Sequence, residues 1–153
     1  MIFKHSTRWI TLCLAWTILF TSHTLWAEGD PENGKTLYAV CLACHGPDGA
    51  GSKELNSPRI AGQEIWYLER QLKNFKAGIR GVNINDTYGK QMQPFAMTLP
   101  TDQAIADVAA YVNSMKPEAP TPEIKGDANA GKAAYMICQA CHGSKGEGIM
   151  AVN

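Results

Sequence analysis

Neither sign of charge prevails in this sequence of 153 residues: 14 Lys and Arg stand against 14 Asp and Glu, and the formal charge at neutral pH is zero. Without a basic excess the chain has no electrostatic handle for nucleic acid, nor for a polybasic grip on a membrane surface. A bilayer-spanning run is also missing, because the main apolar stretch, Trp9 to Phe20, is shorter than the roughly 20 residues such a helix needs. Nothing reads as a convincing strand, so the expected class is all-α. What is present is ordinary for a globular protein, 45% hydrophobic and 18% charged, with length for one domain or two small ones.

The short apolar run belongs to a segment of a different kind. Lys4 and Arg8 precede it, and a polar stretch then leads to Leu25-Trp26-Ala27 and the acidic start Glu28-Gly29-Asp30. This reads as a secretory signal, residues 1–27, cleaved after Ala27, rather than an uncleaved anchor. Cys13 lies within it and lacks the small residues that a lipoprotein cleavage site requires. Removal of Lys4 and Arg8 leaves 12 basic against 14 acidic side chains, and the implied destination is the periplasm.

Four cysteines remain, as Cys41-Leu42-Ala43-Cys44-His45 and Cys138-Gln139-Ala140-Cys141-His142, 97 residues apart. Disulfides, zinc, dithiol redox chemistry and haem compete for them. A zinc ribbon places its pairs about 15–20 residues apart. A redox CxxC opens a helix after a strand, whereas Tyr38-Ala39-Val40 closes what reads as a helix. The histidine after the second cysteine, present twice, decides for haem: two thiols on one helical turn form thioethers to the vinyl groups, and the next residue sets an imidazole at the iron.

The flanks repeat as well. "GDPENGKTLYAVCLACHGPDGAG" (29–51) and "GDANAGKAAYMICQACHGSKGEG" (126–148) share twelve identities in 23 positions, an internal duplication. Asp30 with Pro31, and again Asp127, read as helix starts. Tyr38 and Tyr135 read as packing residues rather than redox groups. Between the repeats a Gly- and Pro-rich loop follows His45. A helix is expected over Gln63–Lys76, its apolar face formed by Ile65, Leu68, Leu72 and Phe75 and its end marked by Gly78. Arg70, Lys73 and Lys76 on the other face make either a docking patch for an acidic partner or, more simply, a solvated surface. "GIRGVNINDTYGKQMQPFAMTLP" reads as a second loop, and Thr101 caps a last helix that buries Ile105, Val108, Ala109 and Val112 and stops at Pro117. A thioether is a soft ligand suited to an electron-transfer iron. Met92, in an exposed Met-Gln-Pro stretch, is assigned that role, and Met97 is assigned to packing.

These segments, together with "SPRIAGQEIWYLERQLKNFKAGIRG" and "GKQMQPFAMTLPTDQAIADVAAYV", resemble the class I cytochromes c, and among them the dihaem cytochromes of the c4 type. The resemblance implies a class I cytochrome c fold in tandem: residues 28–115, a Pro-rich linker 116–125, and the start of a second copy, 126–153. It implies that Cys41 and Cys44 anchor a first haem c, that His45 and Met92 ligate its iron, and that the Pro58 carbonyl accepts a hydrogen bond from the His45 ring. Cys138 and Cys141 would attach a second haem, with His142 as its ligand.

By the His45-to-Met92 spacing, a matching methionine would fall about 47 residues after His142, past Asn153. Met150 is too near His142 to reach the far face of a haem, and Met136 reads as helix packing, so the second copy is expected to be incomplete. The expected function is single-electron shuttling between redox proteins such as a membrane quinol-oxidising complex and a terminal oxidase, with no small-molecule substrate and little or no membrane association. The alternatives are a cytochrome subunit of a periplasmic dehydrogenase or oxidase and, more distantly, a dihaem peroxidase.

Overall fold

The computed structural model describes residues 28–116 and 125–152; residues 1–27, read above as a signal, and most of the expected linker lie outside them. Asp30 accepts from Glu32 N and Pro31 occupies the first turn, giving helix α1, Pro31–Leu37. A 3-10 turn, Tyr38–Val40, carries the chain into the one-turn helix α2, Leu42–His45. Helix α3 spans Ile65–Lys76, starting two residues later than its apolar spacing suggests, and Gly78, at φ 70°, turns the chain away as expected. Thr101 accepts from Ala104 N to start the last helix of this unit, which ends at Ser114, so Pro117, outside the described residues, is not needed to stop it.

The second loop is the main departure from expectation. Residues Thr87–Met97 form a helix, α4, with Pro94 inside it, followed by α5, Asp102–Ser114. Gly89 and Pro94 suppress the local helical signal. Two contacts stabilise the helix nonetheless: the Asp86 carboxylate accepts from Gly89 N at 2.8 Å, and Gln93 Nε2 donates to the Phe75 carbonyl at 3.3 Å. Ala96, 1% exposed, anchors its inner face.

The core forms where α5 meets α1 and α3. Tyr38, Leu68, Leu99, Ala104, Ile105, Val108, Ala109 and Val112 make one buried cluster, so all four apolar positions expected of α5 face inward. The crossing of α1 over α5 is close. A Cβ on Gly34 would collide with the Asp107 carbonyl. Beneath it the Asp107 side chain, 2% exposed, accepts from Asp30 N at 2.8 Å, Asn33 Nδ2 at 2.6 Å and Gln103 Nε2 at 2.7 Å.

The second repeat forms α6, Ala128–Tyr135, capped by Asp127, then α7, Gln139–His142, and a 3-10 turn, Met150–Val152. Among the described residues no strand occurs, only an isolated bridge between Ser52 and Ser57. No described helix is long and apolar enough to cross a membrane.

Candidate haem site

A cavity of about 530 Å³ opens between α2, α3, α4 and α5, a size suited to a cofactor. Cys41, Cys44, His45, Pro58 and Met92 all line it, and Leu68, Leu72, Phe75, Val108 and Val112 supply much of its apolar wall. The turn Tyr38–Val40 and helix α2 set both thiols and the imidazole on one side. Tyr38, 1% exposed, fixes this segment by donating from its hydroxyl to the Gly46 carbonyl at 2.8 Å and by meeting Tyr111 edge-on, ring centres 5.4 Å apart. It is a packing residue, as expected.

His45 is 5% exposed, with Nδ1 3.0 Å from the Pro58 carbonyl. That carbonyl selects the tautomer in which Nδ1 carries the proton and donates it, leaving Nε2 with a free lone pair. The loop holding Pro58 is tied back to the motif, because Ser57 Oγ donates to the Cys44 carbonyl. Burial, with a smaller contribution from Cys44, pushes the Cys41 thiol up to about 11. It is therefore neutral at pH 7, the poorer state for capturing a metal as a thiolate. None of the four described cysteines is in a disulfide, and no cluster of three or more His, Cys, Asp and Glu side chains suited to a metal occurs among the described residues.

Met92 is partly buried on α4 and faces the cavity. It reaches the site from a helix, not from the exposed loop the sequence suggested. Met97, on the same helix, is 60% exposed and does not line the cavity, which corrects its assignment to packing. Nor is the basic face of α3 simply solvated. Arg70 lies over the Trp66 ring at 4.6 Å, Lys73 sits 3.5 Å from Glu69, and Lys76 donates to the Leu99 carbonyl. Sequence reasoning missed Gln71, Arg80 and Asp86 at the cavity, since no motif marks them.

The second repeat reproduces the local geometry without the pocket. Tyr135 donates to the Gly143 carbonyl at 2.8 Å, the same bond as its counterpart. His142 is exposed, however, and no carbonyl partner to its ring is seen among the described residues. Met136, 69% exposed, and Met150, 65% exposed, are neither packed nor at the cavity.

Two thiols, an oriented imidazole and a thioether converging on one apolar cavity in an all-α fold define a c-type cytochrome, and the chain belongs to the cytochrome c family, whose model matches residues 31–116. Within that family it groups with the cytochromes c4. It is 36% identical over 151 residues to cytochrome c4 of Azotobacter vinelandii, covering 91% of this chain and 69% of that one. The reduced recombinant cytochrome c4 structure from Pseudomonas stutzeri superposes with a TM-score of 0.59 at 32% identity, over 79% of this chain and 68% of that one. The Cbb3-type cytochrome c oxidase subunit CcoP of Rubrivivax gelatinosus is 34% identical over 120 residues, 78% of this chain and 36% of that protein. The family's cofactor is haem c. The carbon-lined cavity, the pair of thiols in CxxCH register and the two neutral N and S donors fit it.

Proposed function

We propose that this chain carries single electrons in the periplasm between redox proteins, without transforming a substrate. The observation that carries this reading is the convergence of Cys41, Cys44, His45 and Met92 on one apolar cavity. Bound haem c supplies one-electron exchange at iron. In this reading Cys41 and Cys44 would hold the haem through thioethers, and His45 and Met92 would ligate its iron. The Pro58 carbonyl holds the imidazole, and the α3 and α5 side chains keep water from the site. With His45 and Met92 as its protein ligands, the iron would be left to exchange electrons rather than to take a substrate. Cys138, Cys141 and His142 would attach and ligate a second haem in the same register. Export follows from the signal-like residues 1–27.

Mass spectrometry of the periplasmic protein tests the reading. The expected mass exceeds that of the chain from Glu28 by two covalent haems; a protein carrying zinc and no haem overturns the assignment. The likeness to an oxidase subunit favours one second reading, in which the chain works as a cytochrome subunit of a periplasmic or membrane-bound complex. Purification separates the two: a mobile carrier is isolated alone, whereas a subunit is recovered with its complex.

A further inference from the structure

The sequence contains one Asn-Gly step, Asn33-Gly34. It lies in the middle of α1, where that helix comes closest to α5. Gly34 is buried, and a Cβ there would meet the Asp107 carbonyl oxygen at 2.0 Å and Tyr111 Cβ at 2.9 Å, so the crossing admits no larger residue. The residue before it is tied to the same partner. Asn33 Nδ2 donates to Asp107 Oδ2 at 2.6 Å, while Gly34 N donates to the Asp30 carbonyl at 2.9 Å. Asn33 is otherwise exposed to solvent. In the second repeat the matching step is Ala130-Gly131, and nothing lies within 4 Å of a Cβ on Gly131.

Asparagine before glycine is chemically labile, because no side chain shields the glycine nitrogen or restricts its backbone. Gly34 N can attack Asn33 Cγ: the N–Cγ bond forms, the Cγ–Nδ2 bond breaks, and the leaving amide takes the proton from Gly34 N and departs as ammonia. Water then opens the succinimide ring at either carbonyl, leaving aspartate or isoaspartate at position 33. The folded molecule opposes the first step twice. Helical backbone aims the Gly34 N–H along the helix at Asp30 and away from Asn33 Cγ, and the bond to Asp107 holds the amide against α5. We propose that Asn33 is a deamidation site of this protein, shielded while α1 is docked on α5 and opened whenever that crossing separates. The product keeps the crossing open. A carboxylate at 33 no longer donates to Asp107 and sets a second negative charge beside it, and isoaspartate adds a backbone carbon that breaks the register of α1. Because α1 leads through Tyr38 into Cys41, the disturbance reaches the CxxCH segment. The inference rests on the packing of α1 on α5 and is independent of what the cavity binds.

Peptide mapping by mass spectrometry tests this on the purified full-length protein, incubated in mildly alkaline buffer with and without urea. The conversion is read in the tryptic peptide that ends at Lys35, where isoaspartate identifies the succinimide route. The native rate is expected to be at least about tenfold below the rate in urea, the factor that an opening free energy of ~1.4 kcal/mol imposes. Asp107→Ala, which removes the acceptor, should raise the native rate and leave the rate in urea unchanged. Asn33→Asp should lower the melting temperature more than Asn33→Ala does, since it adds a carboxylate as well as losing the donor. The proposal is overturned by equal rates with and without urea, by no isoaspartate at position 33 in urea, by an unchanged native rate in Asp107→Ala, or by Asn33→Asp proving as stable as Asn33→Ala. Should the variants fail to accumulate, the two wild-type rates decide alone.

Discussion

At the scale of single residues, the cavity separates two methionines that the sequence presents almost side by side. Met92 lines it and Met97, 60% exposed, does not. Met92→Leu is therefore expected to abolish the methionine-to-iron charge-transfer band and lower the potential of the first haem. Met97→Leu should leave the spectrum intact and stability within about 0.5 kcal/mol, as for other surface substitutions. Visible spectra and thermal melts of the two variants check this, and loss of the band in Met97→Leu would reverse the assignment. The loop after each CxxCH shows a second residue-scale feature. Asp48 caps Ala50 N at 3.1 Å in the first repeat. In the second, Lys145 and Glu147 stand at those two positions, and the Glu147 carboxylate accepts from Lys145 N at 2.7 Å. Hydrogen bonds from its own backbone N–H and that of Lys145 hold the Glu147 carboxyl below the usual range. The carboxylate has moved two residues while the turn is kept.

At the scale of elements, the crossing of α1 over α5 is the most demanding contact. Gly34→Ala should cost about 1–3 kcal/mol, because the added methyl meets the Asp107 carbonyl and the helices must separate. The corresponding Gly131 in α6 has nothing within 4 Å of such a methyl. Gly131→Ala should be neutral, or should favour α6 by up to about 1 kcal/mol through helix propensity. Melting curves of the two variants make the comparison, and equal losses would contradict this packing. Asp107 adds a pH dependence at the same crossing. Burial pushes its carboxyl up, but the hydrogen bonds from Asp30 N, Gln103 and Asn33 outweigh it, and the net direction is down. A carboxyl lowered on folding stabilises the protein fully above its unfolded value, about 3.9. That contribution is lost as pH falls through the folded value. Asp107→Asn should thus be less stable than wild type at pH 7, with the gap narrowing below about pH 4. A gap independent of pH would show that the charge plays no part.

At the scale of the whole molecule, every member of the buried core lies between Tyr38 and Val112. The second repeat contributes none of them. Among the described residues, Gly148 lies beside Trp66, where an added Cβ would sit 3.2 Å from Trp66 Cζ2. Deleting residues 117–153 should therefore shift the melting temperature of the first unit by less than about 4 °C, under the ~1 kcal/mol scale for a domain of this size. The potential of its haem should stay where it is. A larger loss of either would show that the Gly148 contact anchors the tail on α3 and supports the first unit.

The parts legible in the sequence are those whose chemistry is local. Haem attachment needs two thiols and an imidazole within five consecutive residues, and Asp30, Thr101 and Asp127 cap helices through atoms two or three residues away. The repeat and the inward face of α5 follow from spacing alone. The helical state of Thr87–Met97 was not legible, because Gly89 and Pro94 argue against it locally. It is carried by the Asp86 cap and by Gln93, whose bond to Phe75 spans 18 positions. Asp107 is another case: its partners Asp30 and Asn33 lie 77 and 74 residues away, so a buried carboxylate there has no sequence signature. The placing of Met92 on a helix and the arrest of Arg80 by Gln71 and Phe75 were likewise decided by tertiary structure, whereas the bond from His45 to Pro58 was legible only through the family resemblance. Each depends on elements that converge only when α3, α4 and α5 close around the cavity.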